Sequence, residues 1–135
     1  MIIHHQRITI ISSRTPARRD INAELQWFGE SLGLFNLRDK DKSRFRIFIE
    51  LLKSTKAKTP LSSDQLAANL GLSRGTVIHH INNMMEQGLV VTVQNKYLLR
   101  VDNLEDLVGT VENDVARICA DLRRIAKEID EQLRL

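Results

Sequence analysis

The sequence predicts a mainly α-helical chain with one small β-hairpin and a long C-terminal helix. Three observations carry this reading. Two helical patterns meet at the tight turn Gly71-Leu72-Ser73; two runs rich in branched residues, Leu89–Val93 and Tyr97–Val101, follow directly; and an apolar heptad seam extends from Leu104 to Ile129. Helix, turn, helix and hairpin in that order make a winged helix-turn-helix unit over residues 38–101. A basic flexible arm with a short strand precedes it over 1–19, an N-terminal helix and apolar linker fill 20–37, and a coiled-coil-like helix occupies 102–135.

Each element has a local cause. Arg7-Ile8-Thr9-Ile10-Ile11 alternates weakly, as a short strand would, and the polar basic stretch Ser12–Arg19 reads as a linker. Asp20 is placed to cap a first helix whose Ile21, Leu25, Phe28 and Leu32 share one face, with Gly33 ending it. Trp27 and Leu34-Phe35-Asn36-Leu37 add apolar surface that one helix cannot hide. Phe45, Phe48, Ile49 and Leu52 predict a second helix over roughly 41–54, stopped before Thr59-Pro60, where a short strand can form. Ser62 with Gln65 has the capping-box spacing for a third helix carrying Leu66, Ala67 and Leu70.

Composition narrows the function. Apolar residues are 42% and charged residues 27%, an ordinary globular balance. No apolar run approaches the roughly 20 residues that cross a bilayer, and the N-terminal residues lack the apolar core of a secretory signal, so a cytoplasmic location is expected. One cysteine, Cys119, makes neither an internal disulfide nor a zinc site, and beside the heptad seam it reads as a small packing residue. Charge is uneven: twelve Lys and Arg against six Asp and Glu in residues 1–60, but five against nine in 102–135. A basic front suits phosphate, and an acidic tail avoids it.

The informative stretch runs from Leu61 to Val90. Ser73 offers a hydroxyl cap; Val77, Ile81 and Met84 then recur at four and three residues and pin the fourth helix to a core. The opposite face carries Arg74, Thr76, His79, His80, Asn82 and Asn83, donors and acceptors suited to phosphates and base edges. Gln94-Asn95-Lys96 makes the hairpin turn, leaving Lys96 at the tip and Arg100 on the return strand within reach of flanking phosphates.

Residues from about 41 to 101 resemble the winged-helix repressors of the arsenic-responsive repressor (ArsR-like) superfamily. The resemblance is carried by Leu72-Ser73-Arg74-Gly75-Thr76-Val77-Ile78-His79-His80-Ile81 and by Gly88-Leu89-Val90. It implies that Ser73, Arg74, Thr76, His79 and His80 face DNA and that dimers form through terminal helices. The superfamily's metal sensors carry paired cysteines or acidic and histidine ligands; this chain lacks both, so metal sensing is not expected. His79 and His80, about 100° apart on a helix, cannot share one metal, and His4 and His5 have no ligand cluster beside them.

Leu104, Val108, Val111, Val115, Ile118, Leu122, Ile125 and Ile129 alternate at four and three residues, a seam that needs a partner. A helix of that length, roughly 45 Å, outruns the winged domain, so the seam is expected to meet its copy in a second chain or the first helix of either chain, and a homodimer is expected. Neither a phosphate-cradling loop nor a nucleophile with its base is present, so neither an enzyme nor a cofactor is expected. The sequence therefore points to a double-stranded DNA-binding transcription regulator, with Ser73, Arg74, Thr76, His79, His80, Asn83 and Lys96 as contacts. The alternative is a winged-helix adaptor that binds protein, which needs apolar exposure on the fourth helix, where Ile78 is the one candidate. RNA binding is disfavoured because four Phe, one Tyr and one Trp leave little stacking platform.

Overall fold

The computed structural model describes residues 5–35 and 38–134. Helix α1 (Ile21–Ser31) precedes α2 (Ser43–Lys56), α3 (Ser63–Leu70) and α4 (Arg74–Gln87); strands β1 (Val90–Val93) and β2 (Lys96–Leu99) follow, and α5 (Leu104–Leu133) closes the chain. The expected caps form. Asp20 caps α1, and Ser62 and Gln65 make a reciprocal capping box on α3; Asn103, not foreseen in the sequence, caps α5. Helix α2 starts at Ser43, two residues later than the periodicity suggests, because Lys42 adopts a left-handed φ of 54°. Asp39 reaches over that bend to accept from the N–H groups of Ser43 and Arg44, both at 3.0 Å.

The core lies where α2, α3, α4 and the hairpin converge. Ile47, Phe48 and Leu51 of α2 meet Leu66 of α3 and Val77, Ile81 and Met84 of α4, and Val90, Leu99 and Leu107 close the far side. These aliphatic and aromatic groups leave water almost completely, which at about 25 cal/mol per Å² of apolar area is the main term holding the domain together. Phe28 of α1 meets Phe48 at 6.5 Å, and Gly29 lets α1 approach Phe45 so closely that a Cβ there would lie 2.6 Å from its ring. Ile21, expected on the inner face of α1, is exposed instead, because only the C-terminal half of that helix reaches the core.

Strands β1 and β2 pair antiparallel with Val93 opposite Lys96, so the loop is Gln94-Asn95, both with positive φ. The strand expected near Pro60 reduces to one bridge between Leu61 and Tyr97. Residues 7–11 form no ladder. They run extended as a strap, with Arg7 N–H donating to the Glu86 carbonyl at 3.0 Å and Ile11 N–H to that of Ser31 at 2.8 Å. Asn36, Leu37 and His4, singled out in the sequence, lie outside the described residues.

A second, polar anchor joins the strap to α4, the hairpin and α5. Buried Asp114 of α5 receives both guanidinium nitrogens of Arg100, with Arg117 3.8 Å away, and it accepts from Gln6 Nε2 at 2.7 Å. Gln6 also donates to the Gln87 carbonyl at 3.0 Å, and Gly88, at φ 85°, gives it room: a Cβ there would sit 2.2 Å from Gln6 Nε2. Burial works to raise the Asp114 pKa, but donation from Arg100 and Gln6 outweighs it and holds the carboxyl below the usual carboxylate value. Arg100 is therefore committed inside the protein, not to flanking phosphate as its strand position suggests. Replacing Asp114 with Ala strands that guanidinium, and we expect a loss of about 3 kcal/mol in a urea titration; a midpoint equal to wild type would dismiss the anchor.

Candidate nucleic-acid interface

Helices α3 and α4 are joined by Gly71, Leu72 and Ser73, and the turn depends on Gly71 at φ 67°, a conformation that a side chain would strain. Ser73 Oγ accepts from the Thr76 N–H at 3.1 Å and donates to Thr76 Oγ1 at 2.8 Å, so both hydroxyls sit at the α4 N-terminus. One face of α4, Val77, His80, Ile81 and Met84, is buried. The other is open: Ser73, Arg74, His79 and Asn82 are exposed, and Thr76, Ile78 and Asn83 are half-buried. Asn83 Nδ2 lies 3.4 Å from His79 Nε2, one turn along. Arg74 Nε lies 3.3 Å from Asp64 of α3, a pair exposed on both sides and hence readily exchanged for a phosphate. Lys96 stands exposed where the hairpin turns.

A cap-initiated helix with a donor-rich outer face, a tight turn before it and a hairpin after it is the geometry of a helix offered to a groove of duplex DNA. Residues 41–92 match the model of the bacterial regulatory proteins of the arsR family. Over those residues the chain forms an ArsR-like winged helix-turn-helix domain. It acts as a DNA-binding transcription regulator; no curated protein matches the sequence. No helix among the described residues is long and apolar enough to cross a membrane, and no group of three or more candidate metal-ligating side chains is found among them.

The ArsR-like domain places one expected contact residue elsewhere. His80 is 6% exposed and turned into the protein, away from the face that carries His79. Its position explains this: His80 falls three residues after Val77 and four before Met84, on the buried stripe itself. Arg44 Nε, which can only donate, lies 3.1 Å from His80 Nδ1, and this puts the imidazole proton on Nε2, 3.8 Å from Asp39 Oδ2. Asp39, His80 and Arg44 thus link the α1–α2 segment, α2 and α4 in one buried cluster. Two signals in the sequence pointed this way: the i−3, i+4 apolar neighbours of His80, and an acid placed four residues before the first turn of α2.

The seam residues separate into two groups. Val111 is buried in the domain with Leu107, and Leu104, Val115 and Ile118 are partly covered; Val108, Leu122, Ile125 and Ile129 are exposed. Cys119 is exposed as well. The half of α5 that packs on its own domain does so through Leu107, Val111 and Asp114, a stripe rotated from the heptad seam and sharing Val111 with it.

The buried cluster sets a pH dependence. Burial first, then the Arg44 charge, lowers the His80 pKa, and Asp39 only partly restores it, so the folded protein holds a neutral ring. As pH falls below the ordinary value of about 6.5, the unfolded chain takes up the proton first, and stability drops by up to about 1.4 kcal/mol per pH unit until the folded-state pKa is passed. Asp39, held low against its burial by the Arg44 and Ser43 N–H groups, titrates in a separate window below the usual carboxylate value. Thermal melts from pH 7.5 to 5 should show the first slope in wild type and its loss in His80→Gln. An identical slope in both proteins would assign it to other groups.

Proposed function

We propose that the protein binds a specific double-stranded DNA site as a homodimer, with α4 in the major groove and the hairpin against the backbone. The observation that carries this is the accessible part of α4: Arg74, Thr76, His79 and Asn83 all lie off its buried stripe, on a helix fixed by its cap and by that stripe. Arg74, at the first helical position, is suited to a guanine edge, and His79 and Asn83 farther along the helix are suited to other bases. Lys96 is suited to a phosphate beyond the groove, which positions the protein without reading sequence. The adaptor alternative needs an apolar contact surface on α4, and Ile78, its one candidate there, is half-buried.

Dimerisation through α5 is supported by what its distal half leaves uncovered. Residues 119–134 are all exposed, including Leu122, Ile125, Ile129 and Leu133, over about 24 Å of helix. An apolar stripe of that length costs free energy in water unless another surface meets it. A groove between α1 and the near half of α5, lined by Trp27, Phe28, Leu32, Val108 and Val115, extends the same apolar surface. A symmetric pair would present two copies of α4, and the site would be a rough palindrome.

Selection of bound duplexes from a random library at stated salt tests the reading directly. Arg74→Ala should weaken the selected site by about 1–3 kcal/mol and relax one base position, while Lys96→Ala should weaken selected and random duplex alike. Equal losses on both duplexes for Arg74→Ala would remove that residue from base reading. For the dimer, a chain ending at Ala116 keeps Leu107, Val111 and Asp114 and should remain folded. Sedimentation should find it monomeric; a dimer of unchanged affinity would move the interface off distal α5.

A further inference from the structure

An open cleft of about 710 Å³ runs beside α4. One wall is the segment entering α2, with Lys40, Asp41 and Ser43; the other is the first two turns of α4, with Gly75, Thr76 and His79; the Asp39–His80–Arg44 cluster forms its base. Gly75 is the unexplained member. It stands second in α4, where glycine weakens a helix relative to alanine, and nothing internal requires it. Its φ lies outside the left-handed region, and a Cβ built on it would meet no atom within 4 Å. Gly29 and Gly88, by contrast, are each pressed against a side chain, and Gly109 of α5, as open as Gly75, lies outside this cleft. A helix position that tolerates a side chain from within, yet is left bare on the open side of a cleft, has room for an approach from outside.

We infer that this cleft seats the sugar-phosphate backbone of the strand flanking the bound groove, with Gly75 as the notch that admits it and Lys40 as its counter-charge. This rests on the DNA-binding reading above and adds a second wall to it. Lys96 stands on the hairpin and Lys40 on the segment before α2, so the two cations belong to separate elements on either side of α4 in sequence. Asp39 adds little repulsion, since the Arg44 guanidinium in the same cluster offsets its charge and the Ser43 and Arg44 N–H groups hold its oxygens. Asp41, exposed at the rim, opposes a phosphate and limits affinity.

The full chain, titrated by anisotropy into a library-selected duplex and a random duplex of equal length across a salt series, tests this with three variants. Gly75→Ala should raise the melting midpoint by a few degrees and weaken both duplexes tenfold or more, a combination that a structural glycine cannot produce. Lys40→Ala should reduce the slope of log affinity against log salt by about 0.9, one phosphate contact, and Asp41→Asn should tighten both duplexes. Gly75→Ala that binds like wild type overturns the inference and leaves the DNA-binding reading intact. So does Gly75→Ala that melts lower, since the glycine then serves the fold. Wild-type protein that binds neither duplex removes the reading on which the inference stands.

Discussion

The position of α4 depends on its being fastened at two levels. Val77, Ile81 and Met84 press into the hydrophobic core, a contact that is strong but without direction, and such a face alone would let the helix slide or roll. Directional bonds remove that freedom. On the core side of its first half, His80 meets Arg44 and Asp39; at its C-terminal end, the Gln87 and Gly88 carbonyls are reached by Gln6 and Arg100, both held by Asp114. An outer face proposed to meet base edges gains nothing from chemistry unless its orientation is set to a fraction of a hydrogen-bond length. The two polar clusters provide that setting, and each uses residues from elements far apart in sequence.

Both clusters have the economy of buried polar groups that satisfy one another. Arg44 alone in the interior would be costly, and so would Asp39; the neutral His80 ring accepts from the Arg44 guanidinium, and the Asp39 oxygens accept from the Ser43 and Arg44 backbone N–H groups, so each has a partner. The same logic makes Asp114 tolerable on a buried stripe, since its two oxygens receive Arg100, Arg117 and Gln6. Such clusters add little net stability over an apolar replacement of the same shape, and their stronger effect is on which arrangement the chain adopts.

What was legible from the sequence follows from the range of each interaction. Caps and turns are local, so Ser62 with Gln65, Ser73, Gly71 and Gly88 could be read three or four residues at a time, and the structure has all of them. The hairpin was legible for the same reason, through its branched runs and Asn95. His80 was misread because its polarity was weighed above its spacing, although it lies on the Val77–Met84 stripe. Arg100 and Asp114 are 14 residues apart across a helix start, and Gln6 lies 108 residues from its acid; no periodicity encodes such a pairing. In α5 the heptad seam hid a second stripe, Leu107, Val111 and Asp114, because the polar member broke the apolar count.

That second stripe gives α5 a mechanical role. Its near half belongs to the winged domain's core and to the Asp114 cluster, while its distal half projects as the same unbroken helix of 30 residues. Gly109 lies in that helix with helical geometry throughout, and no proline interrupts it, so nothing there acts as a joint. A load on distal α5 therefore reaches Asp114, and through Arg100 and Gln6 the C-terminal end of α4, without passing a flexible link. In a dimer joined through the distal seam, the separation and tilt of two α4 helices would be set by how α5 crosses its copy, and any molecule altering that crossing would act on DNA binding through the Asp114 cluster. The feature that decides between a fixed spacer and an adjustable one is thus the rigidity of a single helix where it leaves its domain, between Asp114 and Leu122.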